Sequence, residues 1–149
     1  MIYQQKQSNR LRNIMICLGV VLVTALIAVG SNLFPPSSNI RTIGVEIYTD
    51  ANQTTRLTSI NWGTLAPGEN KTVLAYIKNV NNTIATLALN TSDWQPINAS
   101  NFIALTWNYT DTPLPPNALQ STTFTLHVKP KIENIDAFTF IMTITATEA

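Results

Sequence analysis

The sequence predicts an all-β, immunoglobulin-like β-sandwich of about seven strands, preceded by one N-terminal transmembrane helix. Three observations carry that expectation. Beyond residue 40 the apolar residues recur with period two, the pattern of strands with one buried face. Gly, Pro and Asn punctuate these runs, and about seven or eight short strands at such spacing fit two packed sheets, with a closed barrel as the runner-up. Upstream, residues 14–34 form a 21-residue, largely apolar run that stops at Pro35-Pro36.

The N-terminal elements come first. Residues 1–13 contain Lys6, Arg10 and Arg12 and no acid, and read as a basic cytoplasmic tail. Residues 14–29 carry no charge, and Thr24 is their one clearly polar side chain besides the thiol of Cys17. A helix of residues 14–34 would reach about 31 Å, the thickness of a bilayer's hydrocarbon layer. Proline at its end cannot continue a helix. Basic residues on one flank predict that this flank stays inside and that everything downstream is exported. Ala28-Val29-Gly30 offers the small residues of a signal-peptidase site, so a cleaved signal peptide is the competing reading. The run exceeds the roughly 7–15 apolar residues of a signal peptide, which favours a retained anchor. A pilin-like leader is a third reading, but Arg12-Asn13-Ile14 lacks the small residue expected before such a cut. Cys17 reads as an apolar filler. Residues 35–40 read as a Pro/Ser spacer, and residues 41–149 as the extracellular β-sandwich domain.

The strands follow in order. Ile43, Val45 and Ile47 alternate with Thr42, Gly44, Glu46 and Tyr48, which predicts one half-buried strand. Asp50-Ala51-Asn52-Gln53 is a turn, and residues 57–62 a shorter strand. Ala66-Pro67-Gly68 signals a type II turn, with Pro at i+1 and Gly supplying positive φ at i+2. Val73, Ala75 and Ile77 mark the buried face of the next strand, and residues 79–82 a loop. Ala85, Leu87 and Leu89 face inward in the strand after it, and Trp94-Gln95-Pro96 begins an irregular link. Ile103, Leu105 and Trp107 mark another strand. Leu114-x-Pro116-Asn117 repeats the earlier Leu65-x-Pro67-Gly68, with Asn in the left-handed position. Phe124, Leu126 and Val128 form a strand that Pro130 ends. Phe138, Phe140, Met142 and Ile144 form the last one, whose apolar, Thr-rich edge is a candidate for pairing with another subunit. On that view, ending the chain at Asp136 would abolish assembly and leave anchoring intact.

Composition excludes several functions. Charged residues are 11% of the chain and the net charge is +1, too little for an electrostatic grip on nucleic acid. After residue 40, six bases face eight acids, a formal charge of −2. One Cys precludes an internal disulfide, and one Cys with one His cannot make a blue-copper or multi-Cys metal site. His127 alternates with Leu126 and Val128, which places it on an outward face. No nucleophile-elbow, zinc-helix or phosphate-loop motif occurs. Glu133 and Asp136 are the nearest acid pair, but read as solvated loop acids. Glu46, Asp50 and Asn52 offer oxygen ligands without the spacing of a calcium loop. The chain is therefore expected to be no enzyme and to need no cofactor or metal. Three Trp and four Tyr leave a sugar-binding surface as an alternative, although Trp in a sandwich mostly packs in the core.

Residues 32–149 hold 14 Asn, and six start an N-x-S/T sequon: Asn52, Asn70, Asn81, Asn90, Asn98 and Asn108. Chance in so Asn- and Thr-rich a stretch gives roughly three. Glycans need an exposed acceptor outside the cytoplasm, which agrees with an exported domain.

The run Ile60-Asn61-Trp62-Gly63-Thr64-Leu65-Ala66-Pro67-Gly68 is followed by Asn79-Val80-Asn81-Asn82, Leu87-Ala88-Leu89, Asn90-Thr91-Ser92-Asp93-Trp94 and Leu105-Thr106-Trp107. These elements resemble a group of small archaeal surface proteins with one N-terminal membrane segment and a C-terminal immunoglobulin-like sandwich. The resemblance covers about residues 14–149 and implies the fold and an envelope location, with no activity and no catalytic residues. The expected function is a membrane-anchored, non-catalytic structural or adhesive module. The expected partners are the lipid bilayer and other envelope proteins or a second copy through sheet edges, with no nucleic acid. A carbohydrate-binding module and a pilin-like filament subunit are the alternatives.

Overall fold

The computed structural model describes residues 36–133 and 135–149. The expected anchor at residues 14–34, with Lys6, Arg10, Arg12 and Cys17, lies outside the described residues. Among the described residues, no helix is long and apolar enough to cross a membrane.

The described residues form eight strands: β1 (Ser37–Ile43), β2 (Val45–Tyr48), β3 (Ser59–Asn61), β4 (Asn70–Asn79), β5 (Ala85–Gln95), β6 (Ile103–Trp107), β7 (Leu119–Val128) and β8 (Thr139–Glu148). A short 3-10 helix, Ile97–Asn101, joins β5 to β6. One sheet runs β3-β1-β8-β5 and the other β2-β4-β7-β6. This is the expected two-sheet sandwich. Its second sheet has the order A-B-E-D of an immunoglobulin domain, with β2, β4, β7 and β6 in those places. In the first sheet β5 and β8 take the places of C and F, and β1 lies beside β8 where G would.

Two turns position the long strands as expected. Glu69 N–H donates to Ala66 O at 3.0 Å across Pro67-Gly68, and Gly68 has φ 81°. Ala118 N–H donates to Pro115 O at 3.1 Å across Pro116-Asn117, and Asn117 has φ 61°. The same turn is thus used twice, before β4 and before β7.

The core lies between the inner faces. Ala75, Ile77, Phe124, Leu126, Phe140, Met142 and Ile144 are buried there at the period-two positions. Trp94 on β5 stacks on Phe140 of β8 with centroids 4.2 Å apart and planes 13° from parallel. Offset aromatic packing of this kind adds about 0.5–1.5 kcal/mol beyond the area buried. It stands on the strand where an immunoglobulin domain packs its Trp against a disulfide. Trp62 is buried too, and its indole N–H donates to the hydroxyl of buried Ser38 at 3.2 Å.

Four expectations are corrected. The alternation of residues 42–48 does not make one strand. It breaks at Gly44 (φ 72°), where the chain leaves one sheet for the other. Residues 35–40 are not all spacer, because β1 begins at Ser37 and Ser38 is buried against Trp62. The strand at residues 84–89 continues to Gln95 through a register shift between Ser92 and Gln95, which turns Trp94 into the core. The last strand offers no free edge: β8 pairs with β1 on one side and β5 on the other.

The sheet edges are short or covered. β3 has three residues and β2 four. β5 is covered where Ala85 exchanges two backbone hydrogen bonds with Leu114, and where Leu87 N–H donates to the Tyr109 hydroxyl at 3.2 Å. That hydroxyl donates onward to Thr112 O at 2.7 Å. Such covering shortens the open hydrogen-bonding row that promotes adventitious sheet pairing.

One buried polar atom stands out. The Thr122 hydroxyl, opposite Ala75, has no hydrogen-bond partner among the described residues. Thr122→Val keeps the shape and removes the desolvated hydroxyl, and is expected to raise stability by about 1 kcal/mol. A urea midpoint that stays put or falls would count against this.

Candidate functional site

The outer face of sheet β2-β4-β7-β6 carries the chain's only histidine. His127 on β7 stands between Asn70 of β4 and Ala104 of β6, one register step from Thr125 and Thr106. Its Nδ1 lies 2.9 Å from Asn70 Oδ1, which accepts only, so Nδ1 carries the proton. Its Nε2 then accepts from the Thr106 hydroxyl at 2.8 Å. Both ring nitrogens are thereby engaged by neutral groups. The expected outward placement of His127 agrees with this.

Beside it, an open cleft of about 410 Å³ is lined by Phe102, Ile103, His127, Val128, Lys129 and Pro130, among others. The lining is mainly apolar, with one imidazole and one ammonium. It has the size of a ligand pocket but brings together no acid–base pair.

The acids are placed apart from the histidine. Glu46 pairs with Arg56 and accepts from the Tyr48 hydroxyl. That hydroxyl bond, ahead of the Arg56 charge, holds the Glu46 carboxyl below its ordinary value, and the same bond pushes the Tyr48 phenol up. Asp50 caps the loop that follows: it accepts from Thr54 N–H at 3.2 Å, Thr55 N–H at 3.0 Å and the Thr54 hydroxyl at 2.9 Å. Backbone donation from Thr54 is the main reason that its carboxyl is held low. Both acids are engaged within the turn region, and among the described residues no group of three or more potential ligands is assembled. Glu133 and Asp136 are exposed loop residues.

A carboxyl held low in the folded chain contributes stability above its unfolded pKa and loses it as the pH falls through the folded value. The loop from Asp50 to Thr55 is therefore expected to loosen only in acid, below the ordinary carboxylate range. Asp50→Asn should flatten the fall in urea midpoint between about pH 7 and pH 2. An unchanged acid limb in that variant would show that Asp50 does not couple to folding.

The three tryptophans pack into the sandwich. Trp62 and Trp94 are buried. Trp107 pairs with Phe124 in register and packs against it with centroids 6.0 Å apart, on the inner face. A Trp94→Ala variant would therefore lose the stack on Phe140 before it could report on a ligand.

The six sequons spread over both sheets and the loops. Asn52 is exposed in the turn after β2, Asn90 on the outer face of β5, Asn70 at the start of β4 and Asn108 just after β6. In three of them the side-chain oxygen is the bonded atom: Asn70 to His127, Asn90 from Thr91 N–H at 2.9 Å, Asn108 from Thr123 N–H at 2.8 Å. The amide nitrogen, which a glycan joins, is outside these bonds. Asn98 is half-buried in the 3-10 helix. Asn81 is half-buried, and its amide lies so close over Gly44 that a Cβ there would meet Nδ2 at 2.6 Å.

Sequence reasoning missed the most connected buried polar residue, Asn79. It is fully buried at the end of β4. Its amide donates to Thr83 O at 2.9 Å and Leu114 O at 2.8 Å, and its side-chain oxygen accepts from Asn81 N–H at 2.9 Å. It ties two loops to the strand end, a structural role.

The strand order defines an all-β, two-sheet sandwich of immunoglobulin type. No family model matches the chain, and no curated protein matches it. Among solved structures it is similar to the ASH / PapD-like domain of human CEP192 (PapD-like domain 7), at 14% identity and a TM-score of 0.39, over 81% of this chain and 94% of that one.

Proposed function

We propose that this protein is a membrane-anchored, non-catalytic β-sandwich displayed on the outer face of the cell envelope, with a structural or adhesive role. The observation that carries the reading is the run at residues 14–34. It has bilayer length, Lys6, Arg10 and Arg12 on its inner flank, and only Pro35-Pro36 between it and the sandwich. The likeness of the sequence to small archaeal surface proteins belongs to the same proposal. Support for a non-catalytic role comes from the polar groups themselves: His127, Glu46 and Asp50 are each engaged by neighbours that stabilise turns or strands. Exposed acceptors at Asn52, Asn70, Asn90 and Asn108 favour a glycan coat on a domain otherwise poor in charge.

Protease treatment of intact cells, followed by mass spectrometry, tests this. Sandwich peptides are expected in the released fraction, with mass additions at one or more of the exposed sequons, while residues 1–13 stay protected. Recovery of the intact, unmodified chain from the soluble cell interior would refute the reading.

A further inference from the structure

We propose that β1 is an exchangeable strand, and that subunits join when the β1 of one copy takes the seat beside β8 in a second copy of this chain. The proposal rests on the reading of a displayed structural subunit and gives that role a mechanism.

The first argument is the seat. β1 lies against β8 over seven register pairs, from Ser37↔Thr139 to Ile43↔Thr145, and runs parallel to it. Every other pair of neighbouring strands in the two sheets is antiparallel. The seat is therefore filled by a segment remote in sequence, in the less favourable pairing direction, and nothing about it requires the segment to come from the same copy. Recognition through backbone hydrogen bonds plus pockets for alternate side chains is the general chemistry of strand addition.

The second argument is the junction. β1 reaches the rest of the sandwich through one residue, Gly44, held at φ 72°. A very short connection between two packed elements is a known invitation to swapping, because exchange needs only that connection to open. Val80 N–H donates to Gly44 O at 3.1 Å, and the Asn81 amide packs over the junction.

The third argument is a conflict between sequence and structure at that junction. The period-two pattern reads straight through it, placing Ile43 on one face with Val45 and Ile47. In the closed chain, Val45 and Ile47 are each 3% exposed, whereas Ile43 is 58% exposed. The closed junction is thus a place where local pattern and fold disagree, and an extended residue 44 would remove the disagreement. Returning Gly44 to an extended φ makes residues 37–48 one continuous strand and carries β1 away from its own β8. In the second copy β1 re-forms the same register pairs, and the Ser38 hydroxyl again accepts from the Trp62 indole. Reciprocal exchange gives a dimer, and one-way exchange a fibre.

The test uses two full-length chains with different tags, both Cys17→Ser, co-expressed in cells. One carries Asn39→Cys and the other Ile141→Cys, positions that face each other in register. Oxidation with copper–phenanthroline and a non-reducing gel should yield a species with both tags. Arg41→Cys with Thr143→Cys, the next outward pair, should do the same, and the mismatched Asn39→Cys with Thr147→Cys should not. Adding Gly44→Ala disfavours the left-handed junction and should raise the linked fraction several-fold. The exchange is overturned if neither matched pair links two chains while a single chain carrying both Asn39→Cys and Ile141→Cys closes internally. Labelling the same cysteines on intact cells with an impermeant maleimide reports display separately. Display without linkage between chains refutes exchange alone, and linkage without display refutes the surface reading alone.

Discussion

A chain ended at Asp136 is expected to lose the sandwich, not merely an assembly surface. β8 is an interior strand, and its removal leaves β1 and β5 without their shared partner. It also takes away Phe140, Met142 and Ile144, each at most 1% exposed, and leaves Trp94 without the ring it stacks on. Each such side chain contributes roughly 1.5–3 kcal/mol on burial, so three together reach the order of a whole domain's stability, about 5–15 kcal/mol. Limited proteolysis of the full chain should leave a resistant fragment covering the sandwich. The shortened chain should leave none. A resistant fragment of the shortened chain would mean that the two sheets hold together without β8.

The second large effect is expected at Asn79. Asn79→Ala leaves Thr83 O and the Asn81 N–H without their partner and takes from the buried Leu114 O one of its two donors, Ala85 N–H being the other. Stranding a buried polar group costs about 1–3 kcal/mol, and here the groups left behind are partly solvated or keep a second donor, so the variant should lose about 1–3 kcal/mol in urea unfolding. The damage should spread, because the backbone of Asn79 also accepts from Asn117 N–H and donates to Ala118 O at the second Pro-x turn. Hydrogen exchange should accelerate together in residues 80–84 and 114–118. A loss below about 1 kcal/mol would show that water replaces the amide there at little cost.

These two positions show what a single sequence reveals. The core strands were legible because burial imposes period two, and Ala75, Ile77, Phe124, Leu126, Phe140 and Met142 obey it. The paired turns at Pro67-Gly68 and Pro116-Asn117 were legible because positive φ restricts the residue type. The break at Gly44 was not. Glycine tolerates extended and left-handed backbone alike, so the alternation on both sides reads as one strand whichever it adopts. The strand order was equally hidden: an apolar, Thr-rich last strand looks the same at an edge or between two neighbours. Asn79 was indistinguishable from the many surface Asn, since nothing local tells a buried amide from a sequon. For the site, the outward face of His127 followed from its neighbours, but its engagement by Asn70 and Thr106 depends on pairing across three strands. The inward turn of Trp94 depends on the bulge after Ser92, where Asp93 takes φ 53°, a position Asp tolerates but does not single out among the chain's other acids.

The most direct measurement is residue-by-residue topology in intact cells, with Cys17→Ser removing the native thiol. A cysteine placed at the exposed Ala51 should react with a membrane-impermeant maleimide without lysis, and one placed at Gln5 should react only after lysis. Reaction at residue 5 in intact cells, or protection of residue 51 until lysis, would contradict an anchor that delivers the sandwich to the outer face.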